Sequence, residues 1–172
     1  MRKVEVMPYQ LRWAALFEQE AERLRQIFDK EIIAIHHIGS TSVPGLKAKP
    51  IIDIMAVVTD ISRVDECNGA MAAIGYEPKG ENGIPGRRYF QKGGDRRTHH
   101  VHMYEAGNPH IERHLAFRDY LRAHPKEAER YGNLKEKLAF QFPYDIDSYI
   151  KGKELLVLEL ERKAKAWRRS LN

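Results

Sequence analysis

The chain has 172 residues, 42% of them hydrophobic and 31% charged, with a formal net charge of +5 at pH 7. That length suits one globular domain with a sizeable core. A mean hydropathy of −0.58, with no apolar run near the ~18 residues of a membrane helix, argues against a spanning segment. The single cysteine, Cys67, excludes an internal disulfide and a cysteine-built zinc cage and suits a reducing cytoplasm. The start, MRKVEVMPYQLRW, shows no apolar core of a signal peptide. Pro8 to Phe28 reads as an amphipathic helix, with Leu11, Ala14, Ala15, Ala21, Leu24, Ile27 and Phe28 at three- and four-residue steps. EIIAIHHIG then turns β-branched and stops at Gly39, which predicts a strand. PIIDIMAVV, Pro50 to Val58, predicts a second strand, apolar enough to be central. Ser62 to Ile74 reads as a helix capped by Ser62 and closed by Gly75. EPKGENGIPG is turn-rich, and RRYFQK with RTHHVHMYE reads as a hairpin around Gly93 and Gly94. Three helices follow: Pro109 to Ala123, one opened by Pro125, and Ile146 to Arg169 with Ile150, Leu155, Leu156, Leu158 and Leu160 apolar. The pattern predicts an α+β domain, a mixed β-sheet packed by helices, with residues 1–108 bearing the sheet and 109–172 a helical C-terminal half.

One residue breaks this pattern. Asp53 lies inside PIIDIMAVV, and an unpaired buried carboxylate is very costly. Ahead of it, Gly39, Ser40 and Thr41 form a turn whose N–H and hydroxyl groups can cradle a phosphate, and Lys49 can neutralise one. Asp53 is then an acid able to hold a divalent metal. An ordinary Ser/Thr/Gly turn with Asp53 hydrogen-bonded internally accounts for the same spacing. The modest basic balance fits a nucleotide or another phosphorylated small molecule, and equally a merely soluble surface. No dense stripe of Arg, Lys and aromatic residues favours a nucleic acid. The stripe His114, Arg118, Arg122 reads as a solvated helix face or a ligand groove.

HIGSTSVPGLKAKPIIDIM, GIPGRRYF, RTHHVHMYE and HLAFRDYLRAHP together resemble the GrpB family, a group related to the nucleotidyltransferase superfamily, over nearly the whole chain. Some members are fused to dephospho-CoA kinase, which implies a link to nucleotide or coenzyme metabolism. The resemblance implies a nucleotidyltransferase-like fold and a nucleotidyl or phosphoryl transfer assisted by Mg, Mn or Zn. It assigns Gly39 and Ser40 to the phosphate turn and Asp53 to the first metal-binding acid. The second acid belongs at position 55, where the chain has Met55. On a strand, 53 and 55 share a face, and a thioether is a poor ligand for Mg²⁺. The same departure supports a second reading, a protein of this fold that binds a nucleotide or phosphometabolite and has lost the chemistry.

The resemblance also places the RTHHVHMYE strand where a third acid usually stands. Period-two alternation puts His100 and His102 on one face of it. Facing Asp53, they form a candidate catalytic and metal-binding set, Asp53, His100 and His102, with His37 a further ligand; such donors suit Zn²⁺ or Mn²⁺. In GRRYFQK only one of Arg87 and Arg88 can face that side, and Arg88 is expected to grip phosphate, with Lys92 a weaker candidate. The alternatives are an Asp53–histidine hydrogen bond without metal and two solvated arginines.

Overall fold

The computed structural model describes residues 2–172. Helix α1 (Arg12–Phe28) leads to strand β1 (Ile32–Ile38), and strand β2 (Ile52–Val58) follows a loop that contains a single 3₁₀ turn at Ser40–Ser42. A 3₁₀ segment, Ile61–Cys67, runs into the short helix α2 (Asn68–Ala73). Strands β3 (Tyr76–Pro78), β4 (Arg87–Lys92) and β5 (His99–Glu105) come next, and then helices α3 (Pro109–Ala123), α4 (Pro125–Gln141) and α5 (Ile146–Ser170). The five strands make one mixed sheet in the order β1-β2-β5-β4-β3; β2 and β5 run parallel and the other neighbours antiparallel.

Alternation along β2 divides its side chains between two faces. Ile52, Ile54, Ala56 and Val58 join Val101, Met103 and Phe90 in the main core, against Trp13, Phe17, Ala21 and Leu24 of α1. On the opposite face Met55 packs with Ile38 and Tyr104 under Ile111 and Leu115 of α3. The helical half has its own cluster, Ala116, Leu121, Tyr131, Leu156 and Leu160, into which the β1–β2 loop inserts Val43 and Leu46. That insertion brings the loop's turn between the sheet and the helices.

The element order matches the sequence reading, with local differences. The α1 stripe is rotated: Trp13 and Phe17 are buried while Leu11 is exposed, because the helix starts at Arg12 and its inner face follows the large aromatics. Glu20 is buried on that stripe and its Oε1 accepts from Lys92 Nζ at 2.8 Å, so Lys92 ties α1 to the sheet and is turned away from Asp53. The helix expected from Ser62 begins as 3₁₀, and its cap is Asp60, whose carboxylate accepts from Ser62 N–H. Strand β3 lies in the turn-rich stretch, where three residues carry too little periodicity to register. In α5, Leu156 and Leu160 are buried but Ile150, Leu155 and Leu158 face outwards.

Candidate functional site

Asp53 stands at the mouth of β2, opposite Ile38 of β1 on one side and His100 of β5 on the other. Gly39 ends β1 with φ +71°, a conformation that disfavours any side chain. A Cβ there would also come within 2.6 Å of Asp53 Oδ2, so the turn needs glycine twice over. Parallel pairing sets Asp53 beside His100 and Met55 beside His102. His100 Nδ1 and His102 Nε2 each lie 3.4 Å from Asp53 Oδ1. Burial pushes the Asp53 carboxyl up, but hydrogen bonds from His100 and His102 outweigh it and hold it below the usual carboxylate range.

The second nitrogen of His102 is also engaged. Arg87 Nη1 lies 3.3 Å from His102 Nδ1. A guanidinium only donates, so Nδ1 is the bare nitrogen and Nε2 carries the proton that faces Asp53. His100 differs: its Nδ1 faces Asp53, while its Nε2 is buried with no hydrogen-bond partner among the described residues.

A cavity of about 130 Å³ opens beside this group, lined by Ser40, Lys49, Asp53, His100, Lys135, Tyr149 and Lys153 among others. Lys135 of α4 is 2% exposed, and its Nζ donates to Ser40 Oγ at 2.7 Å. Lys49 and Lys153 lie 5.3 and 5.5 Å from the centre of the Tyr149 ring, and Lys135 lies 4.4 Å from that of Tyr131. Among the described residues no carboxylate is within ion-pair distance of these three lysines (the ion pairs of this region involve other residues). Burial, with the charges of Lys153 and Arg2, pushes Lys49 down to about 8. Burial and the other two lysines lower Lys135 well below the usual lysine range. Tyr149 is fully buried and its hydroxyl has no hydrogen-bond partner among the described residues.

The structure brings Gly39, Ser40, Lys49, Asp53, His100 and His102 together, as the sequence leads one to expect, and sets three residues apart. Arg88 points to the other face of β4, where its Nε donates to Asp65 at 2.8 Å; the β4–β5 register puts Arg87, opposite Tyr104, on the Asp53 side. His37 pairs with Ile54 and so faces α1, stacked on Phe17 with ring centres 4.8 Å apart. Thr41 Oγ1 donates to Ile51 O at 3.1 Å and accepts from His37 Nε2 at 3.0 Å, so its hydroxyl braces the loop and is not free for a phosphate. Burial pushes His37 down to about 4, as suits a neutral brace.

The expected metal set does not fit these donors. His102 is held by Asp53 and Arg87 at its two nitrogens, and binding an ion through Nε2 would turn an N–H towards the guanidinium. His37 is on the wrong face, Met55 is fully buried where a second acid belongs, and among the described residues no group of three His, Cys, Asp or Glu side chains is arranged to hold a metal. One carboxylate is also a poor donor set for Mg²⁺.

Lys135, Lys153, Tyr149 and Arg87 were not singled out by the sequence as site residues. Each helical lysine has a glycine nearby, and that is the signal available. Mid-helix glycine is unfavourable by about 1 kcal/mol and marks close approach: Gly132 abuts Leu46 and the Lys47 backbone, and Gly152 abuts Leu138. The stripe read as solvated or groove-lining turns inwards: Arg118 Nη1 donates to His37 O and Arg122 Nε to Ser42 O, which fixes the turn, and His114 packs against His102.

The family model of the GrpB protein matches residues 3–163. The chain belongs to the GrpB family. The UPF0157 protein YqkA of Bacillus subtilis is 58% identical over 171 residues, 99% of this chain and 50% of that protein, so this chain spans half the length of that GrpB relative. The crystal structure of the conserved protein GrpB from Enterococcus faecalis superposes with a TM-score of 0.92 at 47% identity, over 95% of this chain and 99% of that one. Cid1 in complex with its short product ApU is similar in fold alone, with a TM-score of 0.52 at 12% identity over 76% of this chain and 42% of Cid1. The fold of this GrpB protein is thus α+β and nucleotidyltransferase-like, and no helix among its described residues is long and apolar enough to cross a membrane.

Proposed function

We propose that this GrpB protein binds a nucleotide or a related phosphorylated small molecule, with the phosphates in the cavity beside Asp53. The observation that carries the reading is the convergence of Lys49, Lys135 and Lys153 on the Ser40 turn without a carboxylate partner. A buried unpaired ammonium is destabilising, and an anion bound among the three relieves that. The cavity is well below the ~300–1,000 Å³ of pockets that enclose whole ligands; it suits a phosphate group, with base and sugar outside. The test is a thermal-shift panel of nucleoside triphosphates and coenzyme A precursors on wild type and Lys153→Met. A rise in Tm of several degrees in wild type, diminished in the variant, supports the reading; no rise with any phosphorylated compound at millimolar concentration overturns it.

Group transfer is the second reading, and the place of His100 in the cavity wall, its Nε2 without a hydrogen-bond partner among the described residues, favours it. An imidazole whose Nδ1 is held by a carboxylate and whose Nε2 is bare has the form of a general base. In that role Nε2 takes the proton of an acceptor hydroxyl as its oxygen attacks the α-phosphorus of a bound nucleoside triphosphate; the bond from that phosphorus to the β-phosphate oxygen breaks and pyrophosphate leaves. Release of product from a bound nucleoside triphosphate by wild type but not by His100→Gln supports transfer; equal rates remove His100 from it.

A further inference from the structure

We infer that the cavity takes its phosphate chain as the free polyphosphate anion, the three lysine ammonium groups supplying the positive charge, so that Mg²⁺ competes with the protein for the ligand. This inference rests on the phosphate-binding reading above and names the ionic form that the site accepts.

Three observations carry it. Lys135 is almost wholly buried, hydrogen-bonded only to the neutral Ser40 hydroxyl, and lacks an ionic partner among the described residues. Lys153 lies 6.0 Å from the Tyr131 ring centre and 5.5 Å from the Tyr149 ring centre, so it shares the first ring with Lys135 and the second with Lys49. Three lysine amino groups thus line one small cavity, and an entering anion favours their charged form. Against them stands one carboxylate, whose Oδ1 lies 3.4 Å from both His100 Nδ1 and His102 Nε2.

A divalent ion carried on the phosphates is held by phosphate oxygens, water and one or two carboxylates, and of the cavity lining only Asp53 offers it a carboxylate, already shared with two histidines. It would also add positive charge among three lysines, where like charges in low dielectric repel strongly. A bare polyphosphate meets neither obstacle, and lysine binds phosphate oxygens as a point charge without metal. Asp53 then opposes the ligand slightly, and its role is to hold His100 and His102.

The probe is inorganic tripolyphosphate, titrated calorimetrically into the full chain in EDTA and again with Mg²⁺ in saturating excess. Binding is expected in EDTA and is expected to weaken by at least about tenfold when the ligand is the magnesium complex. Lys135→Met, close in shape and uncharged, is expected to bind at least about tenfold more weakly, since one charge-assisted contact is lost. Asp53→Asn is expected to bind as tightly as wild type or more tightly. Binding that appears only with Mg²⁺ or Mn²⁺, or that disappears in Asp53→Asn while Lys135→Met keeps it, overturns the inference and leaves the phosphate-binding reading standing. No binding of tripolyphosphate or of any nucleotide under any condition overturns both. Circular dichroism of each variant confirms that it is folded.

Discussion

Lys49→Met is expected to make the ligand-free protein more stable. In the folded chain, burial and the charges of Lys153 and Arg2 hold Lys49 at about 8, against 10.5 for an unhindered lysine. At ~1.4 kcal/mol per pH unit, that separation corresponds to at most about 3–4 kcal/mol of destabilisation near pH 7. Lys49 is partly exposed, so screening by solvent brings the figure to roughly 1–2 kcal/mol. In a chain of this size that raises Tm by about 2–8 °C. The sign follows from linkage: the unfolded state binds the proton more tightly, so the penalty is full below about 8 and fades as pH rises towards 10.5. Wild-type stability therefore rises between pH 7 and pH 9, and the Met variant loses part of that rise. Urea unfolding followed by tryptophan fluorescence at both pH values checks this. A variant no more stable than wild type at pH 7, with the same pH slope, would refute the picture of a lysine destabilised by its surroundings.

Gly39→Ala is expected to lower stability by about 1–3 kcal/mol, because it strains a φ of +71° and drives a methyl group into Asp53 Oδ2; a melting curve within a degree of wild type would count against the contact. Asp53 is held below the usual carboxylate range, so it contributes stability that is present above about pH 4 and is lost as pH falls. Acid unfolding of Asp53→Asn should accordingly show a flatter limb below pH 4 than wild type does. Polyphosphate binding at pH 8 should take up about half a proton from Lys49 alone, since an anion restores its charged form. Calorimetry in buffers of different ionisation enthalpy reads that uptake, and a binding heat independent of buffer would contradict it.

The sequence displayed the sheet half of the site better than the helical half, for a physical reason. Gly39, Asp53, His100 and His102 stand out because each violates the pattern of its own segment: a glycine closing a β-branched run, an acid in an apolar strand, two histidines at period two. Lys135 and Lys153 violate nothing, since lysine on an amphipathic helix is the ordinary solvated residue. Only the packing of α4 and α5 around the β1–β2 loop turns them inwards. The choice between Arg87 and Arg88 failed on register: adjacent strand residues face opposite ways, and the Gly93–Gly94 turn did not reveal which pairs where. The misfit between the expected metal set and these donors turns in part on a contact invisible in one dimension, that of Arg87 with His102 Nδ1. The exposed apolar residues of α5 have no explanation in this structure.

The site is built across a seam. Ser40, Asp53 and His100 belong to the sheet, whereas Lys135, Tyr149 and Lys153 belong to the helices, and Val43 and Leu46 plug the β1–β2 loop into the helical cluster. A polyanion lodged there touches both halves at once and acts as a removable rivet. Its binding energy then appears as mechanical cohesion: with ligand present, the two halves open for hydrogen exchange together, and amides of α4 and α5 gain protection in step with those of β2 and β5.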